Sequence, residues 1–149
     1  MTITHKLDQA AVRELLTGPR GAVAKDMFRR GLRVETKAKQ NLQTDPRRVD
    51  TGRLRSSINT QAVTVDGVPA VAVGTNVKYA IYVHEGTGLY GPKAKYIVPV
   101  SKQALRWKTR GRGMAARRAA GAGGYTFAQR SSGMRPNPFL KNALPAARG

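Results

Sequence analysis

The chain has 149 residues, 40% of them hydrophobic, which suits one domain able to bury a core. It has no cysteine, which excludes disulfides, zinc ribbons and thiol nucleophiles and permits a reducing compartment such as a bacterial cytosol. The formal net charge is +19 and all eight acidic residues lie between Asp8 and Glu85, so residues 86–149 hold thirteen Lys and Arg and no acid. A field of that sign draws in phosphate polymers and acidic protein surfaces, and it weakens with salt.

The first residues lack the apolar core of a secretory signal, and no apolar run approaches the roughly 20 residues that span a bilayer, so a soluble protein with no membrane partner is expected. Residues 7–16 are predicted as a short helix closed by Gly18, after which Pro19 fits the first turn of a second helix. That second helix is the longest element. Val23, Met27, Val34, Ala38 and Leu42 recur at about 3.6 residues and form one apolar stripe. Phe28 and Leu32 lie beside the stripe, with Arg29, Arg30, Arg33, Lys37 and Lys39 largely opposite. Gly31 weakens the helix interior by roughly 1 kcal/mol relative to alanine, so tertiary contacts must hold it there. Asp45-Pro46 ends the helix, and a loop leads to the turn Asp50-Thr51-Gly52.

Residues 60–65 and 68–74 are rich in valine and flank Asp66-Gly67, the dipeptide of a type I′ turn, so they are predicted as a hairpin. Pro69 removes a ladder donor, which fits an edge or an irregular start to its strand. Tyr79, Tyr82 and Val83 are spaced i, i+3, i+4, as in one helical turn, with a strand over residues 79–84 as the alternative. Further strands are expected over residues 96–100, interrupted by Pro99, and over 104–108 and 125–129. Between the last two, residues 109–124 form an insert of Arg, Gly and Ala. Pro136-Asn137-Pro138 then leads into a short helix over residues 139–143, stopped by Pro145.

Catalytic and cofactor motifs fail on a missing residue or on their surroundings. His84-Glu85 begins like a metalloprotease signature, but Gly88 stands where the second histidine is needed and the other histidine is His5. Gly86, Gly88 and Gly91 match a dinucleotide fingerprint in spacing, yet Pro92 and an extended segment follow where a helix N-terminus is required. No spacing singles out a catalytic carboxylate pair. The expectation is a protein that is not an enzyme and has no cofactor or metal site.

Three short stretches carry more information: VDTGRLRSSI at 49–58, YAIYVHEGT at 79–87 and RPNPFLKNAL at 135–144. In the first, Asp50 or Thr51 can accept backbone amides, Gly52 can take positive φ, and Leu54 and Ile58 can bury while Arg53 and Arg55 stay outside. In the second, Tyr79 and Tyr82 are either core aromatics or interface anchors, with core preferred for Tyr79, and Glu85 is expected in a salt bridge. In the third, Phe139 and Leu140 are expected to dock on the long helix. Arg106, Lys108, Arg110, Arg112, Arg117 and Arg118 form the one patch that resembles a nucleic-acid-binding sequence. The aromatics among them, Trp107, Tyr125 and Phe127, alternate as in strands and are expected in the core.

In this order the three stretches resemble the neck, or tail-completion, family of long-tailed bacteriophages, which includes minor tail protein Z-like proteins. The resemblance spans roughly residues 23–144 and marks Asp50, Thr51, Gly52, Leu54, Arg55, Ser57, Ile58, Tyr79, Tyr82, Glu85, Gly86, Thr87, Pro136, Pro138, Phe139 and Leu140 as family positions. The family pattern has an Ala-Leu-Arg-aromatic strand, matched by residues 104–107, and a shorter connection than the insert at about 109–124. The resemblance implies a single α+β domain over 1–149, with a long N-terminal helix packed on a small, mainly antiparallel sheet and a short C-terminal helix. It implies a virion protein made in the host cytoplasm that forms a ring, six-fold to match the tail, at the head–tail junction. Its implied partners are copies of itself, the connector or head-closure proteins, the tail terminator or tube, and genomic DNA in the channel. A tail terminator and a free, sequence-independent nucleic-acid-binding protein are the rival roles.

Overall fold

The computed structural model describes residues 8–44, 51–108 and 124–148. The chain divides into two compact units, Met1–Ala80 with Asn137–Gly149, and Ile81–Pro136. Asp50, Arg110, Arg112, Arg117, Arg118 and nearly all of the insert lie outside the described residues.

In the first unit, α1 (Gln9–Thr17) starts where the Asp8 carboxylate accepts the amides of Ala10 and Ala11 at 2.9 and 3.2 Å. It ends at Gly18, whose amide donates to Glu14 O. Pro19 does not open the next helix as expected. The Gly21 amide bonds to Gly18 O at 3.0 Å, and this turn holds Pro19 ahead of α2 (Ala22–Asn41), whose N-cap is Gly21.

The stripe on α2 is buried only in its second half. Val34, Ala38 and Leu42 are in the core, while Met27, Phe28 and Leu32 are more than a third exposed. Gly31 explains where the burial begins. A Cβ there would stand 2.5 Å from Val71 Cγ1 and 2.7 Å from Thr60 Cγ2, so the missing side chain lets a β-hairpin lie against the helix. That hairpin is β1 (Asn59–Val65) and β2 (Val68–Gly74), paired antiparallel about Asp66 and Gly67. Their φ values of 51° and 78° are those of the type I′ turn. Because Val65 and Val68 close the turn as the hydrogen-bonded pair, Thr64 and Pro69 form the following non-hydrogen-bonded pair. Pro69 therefore sits in a regular strand, buried, without removing a ladder bond.

The last element differs from the helix expected over residues 139–143 with Pro145 as its stop. It is a 3-10 helix over Lys141–Arg148 that contains Pro145, whose fixed φ is compatible with 3-10 geometry. It packs on α2. Phe139, just ahead of it, is fully buried, as are Leu42 and Ile58.

The second unit opens with residues 81–85 of α4 (Ala80–Glu85), followed by a 3-10 turn, Gly88–Tyr90. Its hairpin is β3 (Leu105–Lys108) paired antiparallel with β4 (Tyr125–Ala128). Residues 96–100 do not form the expected strand. Ile97 and Ser131 make a single bridge in which each amide donates to the other's carbonyl at 2.9 Å, and Pro99 offers no amide to extend it. The architecture is α+β, and the described strands fall into two separate hairpins.

Candidate functional site: the motif corner and the basic hairpin

The first motif folds as α3 (Arg53–Ser57) behind a left-handed Gly52 at φ 81°. Thr51 Oγ1 accepts the Arg53 amide at 3.4 Å, Leu54 and Ile58 are buried, and Arg53 and Arg55 are exposed. The physical expectation for this stretch holds, with a helical turn in place of a bare loop. Ser57 does the positioning. Its hydroxyl donates to Leu54 O at 2.8 Å, so across the 2.6 Å contact with Thr75 it is the acceptor. Thr75 Oγ1 in turn accepts the Val77 amide at 3.2 Å. This chain of bonds ties α3 to the segment leaving β2.

Beside it lies an open surface cavity of about 490 Å³ lined by Arg53, Ser56, Asn76, Lys78 and Tyr79 among others. The first motif and the start of the second thus meet on one cationic surface within the first unit. Tyr79 is 41% exposed and Tyr82 60%, which corrects the core assignment of Tyr79. The register of α4 buries Ala80 and Val83 instead, one position after each tyrosine.

The third motif supplies a residue that its sequence did not single out. Asn137 is buried, its Nδ2 donates to Asn41 O at 3.1 Å, and Asn41 Nδ2 donates to Phe139 O at 3.0 Å. The exchange satisfies a carbonyl at the end of α2 and fixes the backbone that delivers Phe139 to the core. An Asn between two prolines is a usable signal, because such a segment has few amides of its own to pair. Leu140 is only half-buried and, with Met27, Val73 and Leu144, lines an apolar groove of about 450 Å³.

In the second unit the remainder of motif two meets the approach to motif three. Thr87 N donates to Met134 O, Met134 N to Thr87 Oγ1 and Leu89 N to Ser132 O, each at 2.9 Å. Gly86 is buried at φ 82°, and a Cβ on it would stand 2.8 Å from Met134 O and 2.9 Å from Pro136 N. The glycines at 86 and 88 thus serve close packing of two backbones. Glu85 is exposed and takes part in no salt bridge among the described residues, and four of the arginines of the basic half lie outside them. Pro136 ends this unit, and Pro138 is half-buried in the first.

Three arginines lie over tyrosine rings within this unit: Arg106 over Tyr125 at 4.7 Å, Arg130 over Tyr96 at 4.8 Å and Arg135 over Tyr90 at 5.5 Å. The register pairs Arg106 with Phe127 and Lys108 with Tyr125, so these four side chains share one face of the β3–β4 hairpin. Trp107 is 43% and Phe127 59% exposed, so the expectation that these aromatics form a core is corrected. Residues 81–136 carry eleven Lys and Arg against one acid, Glu85. In the first unit, by contrast, Glu35 is engaged: it bonds Lys39, accepts Thr60 Oγ1 at 2.7 Å, and these bonds hold its pKa below the ordinary value of 4.5.

No helix among the described residues is long and apolar enough to cross a membrane. The fold places the motif residues at chain corners, on exposed helical turns and in a small core. Residues 10–86 match the family described as "Bacteriophage HK97-gp10, putative tail-component", and the chain belongs to this family of phage tail components. No curated protein and no solved structure matches the chain. The matched residues include the first motif, the β1–β2 hairpin and the second motif up to Gly86; Thr87, the basic hairpin and the third motif lie beyond them.

Proposed function

We propose that this protein is a structural component of the virion at the head–tail junction, where copies form a closed ring, six-fold like the tail, around the channel through which DNA leaves. It joins the connector to the tail through complementary surfaces and catalyses no reaction. The observation that carries this reading is the match of residues 10–86 to a family of phage tail components. Two features support it. The motif corner presents Arg53 and Tyr79 together, residue types enriched at the hot spots of protein interfaces. The second unit leaves Tyr82, Trp107 and Phe127 exposed, as surfaces completed by assembly do.

Phage particles made without the protein provide the test. Filled heads and separate, normal-length tails are the expected outcome. Tails of unregulated length would assign the terminator role, in which the ring caps the tube. Normal numbers of infectious particles would refute both. A reconstruction of the virion reads the symmetry directly: a single copy off the axis would refute the ring.

A further inference from the structure

The β3–β4 hairpin presents a face whose chemistry is distinct from the rest of the chain. Arg106 and Lys108 are exposed on one strand, two residues and so roughly 7 Å apart on the same side. That repeat is comparable to the separation of successive phosphates on a nucleic-acid strand. Opposite them on the same face are Phe127, with its ring in solvent, and Tyr125, whose ring lies under the Arg106 guanidinium. The stack holds Arg106 in a defined position, and among the described residues its guanidinium has no carboxylate partner, so its N–H groups can donate outward. No acid lies on the hairpin, and the unit that carries it has Glu85 as its one carboxylate.

We infer that this face binds the backbone of duplex DNA without regard to sequence, with Arg106 and Lys108 on phosphates and the Phe127 ring against deoxyribose. Charge and spacing favour DNA over an acidic protein. Two cations about one phosphate step apart, in a unit with eleven Lys and Arg against one acid, suit the unbroken charge of a nucleic-acid backbone, whereas a folded protein surface mixes its carboxylates with cations that this unit would repel. Duplex is favoured over single strand because the Tyr125 ring is already covered and one free ring makes a poor stacking platform, while duplex has the higher charge density. The biological setting, DNA leaving through the junction, rests on the proposed function above; the binding chemistry does not.

The test uses the full-length protein and fluorescein-labelled duplexes of two unrelated sequences, titrated across a range of salt. Wild type should bind both equally. R106Q/K108Q should weaken binding by about tenfold or more and reduce the slope of log affinity against log salt by about 1.8, near 0.9 for each phosphate no longer neutralised. R29Q/R33Q, which removes the same charge from exposed positions on α2, should leave the slope nearly unchanged. F127A should lower affinity without altering the slope, the signature of an apolar contact. Equal losses in the two double variants would overturn the inference by reducing the effect to net charge. Tighter binding of polyglutamate or of single strands of matched length would overturn it in favour of another partner. These measurements stand or fall independently of particle assembly, so a failure here leaves the joining role intact, and heads joined normally without the protein would leave the DNA result intact.

Discussion

Different physics orders the two units of this chain. Met1–Ala80 with Asn137–Gly149 has a side-chain core: Val34, Ala38 and Leu42 on and just after α2, Leu54 and Ile58 around α3, and Phe139 and Ala143 from the C-terminal segment. Among the described residues of Ile81–Pro136 there is none of the largest fully buried side chains. Its order comes from backbone pairing between residues 87–89 and 132–134, the Ile97–Ser131 bridge, and arginines stacked on tyrosines. A core built from aliphatic burial fixes shape and tolerates little change within it. A unit built from backbone bonds and charged stacks leaves its side chains outward, available to a partner. The division explains why the first unit carries motifs as structural corners and the second carries the basic face.

The largest test of this contrast uses two phenylalanines. Phe139 is fully buried and Phe127 is 59% exposed. Phe139→Ala should destabilise the first unit by about 3–5 kcal/mol, because the forfeited burial of the ring and the cavity it leaves behind add. Phe127→Ala should change stability by less than about 0.5 kcal/mol, the usual result for a surface position. Chemical denaturation followed by circular dichroism reads both. Comparable losses in the two variants would mean that the second unit has a core of its own.

A smaller test concerns the close approach that seats the first hairpin. Gly31→Ala should gain about 1 kcal/mol in helix propensity. The new methyl, however, would stand 2.5 Å from Val71 Cγ1, on a branched side chain with little freedom to move aside. Overpacking of this kind costs about 1–3 kcal/mol, so the net change should be a loss of up to about 2 kcal/mol. A melting temperature above wild type would show that the hairpin can shift away from α2 at no cost, and that the first unit is less tightly specified than the distances imply.

The same division governs how much of the structure is legible in the sequence. The stripe of α2 and the valine hairpin about Asp66-Gly67 have the periods and turn residues that local sequence encodes, and both exist as expected. Period alone does not reveal how far the cover on α2 reaches, so it groups Met27, Phe28 and Leu32 with residues that are buried. In the second unit the ordering contacts join residues far apart in sequence, as where Thr87 N donates to Met134 O and Leu89 N to Ser132 O, largely through backbone atoms that leave no mark in side-chain pattern. The alternation of aromatics in β3 and β4 is visible, but a two-stranded hairpin has two faces, and pattern does not say which of them is covered. Charge suffices to keep Arg53 and Arg55 outside, whereas an amphipathic tyrosine can face either way, and Tyr79 turns outward because the buried helical positions are Ala80 and Val83.

The smallest effect separates the units by pH. Glu35 bonds Lys39 within α2 and Thr60 on β1, and both bonds favour the carboxylate, so its folded pKa lies below the ordinary value of 4.5. A carboxyl whose pKa is depressed on folding contributes stability that is fully present above its unfolded pKa and is lost as pH falls through the folded one. The first unit should therefore be insensitive to Glu35 titration near neutrality and weaken only on the acid side of 4.5. Glu35→Gln keeps the shape but removes the charge, so its stability deficit relative to wild type should be constant from pH 8 down to about 5 and shrink below that. Amide exchange of β1 and α2 residues measured at several pH values would isolate the effect from the second unit, where Glu85 has no such partners among the described residues. A deficit that persists unchanged at pH 2 would mean that the side chain acts through packing and its bond to Thr60, and that the charge on Glu35 contributes nothing to holding the hairpin on the helix.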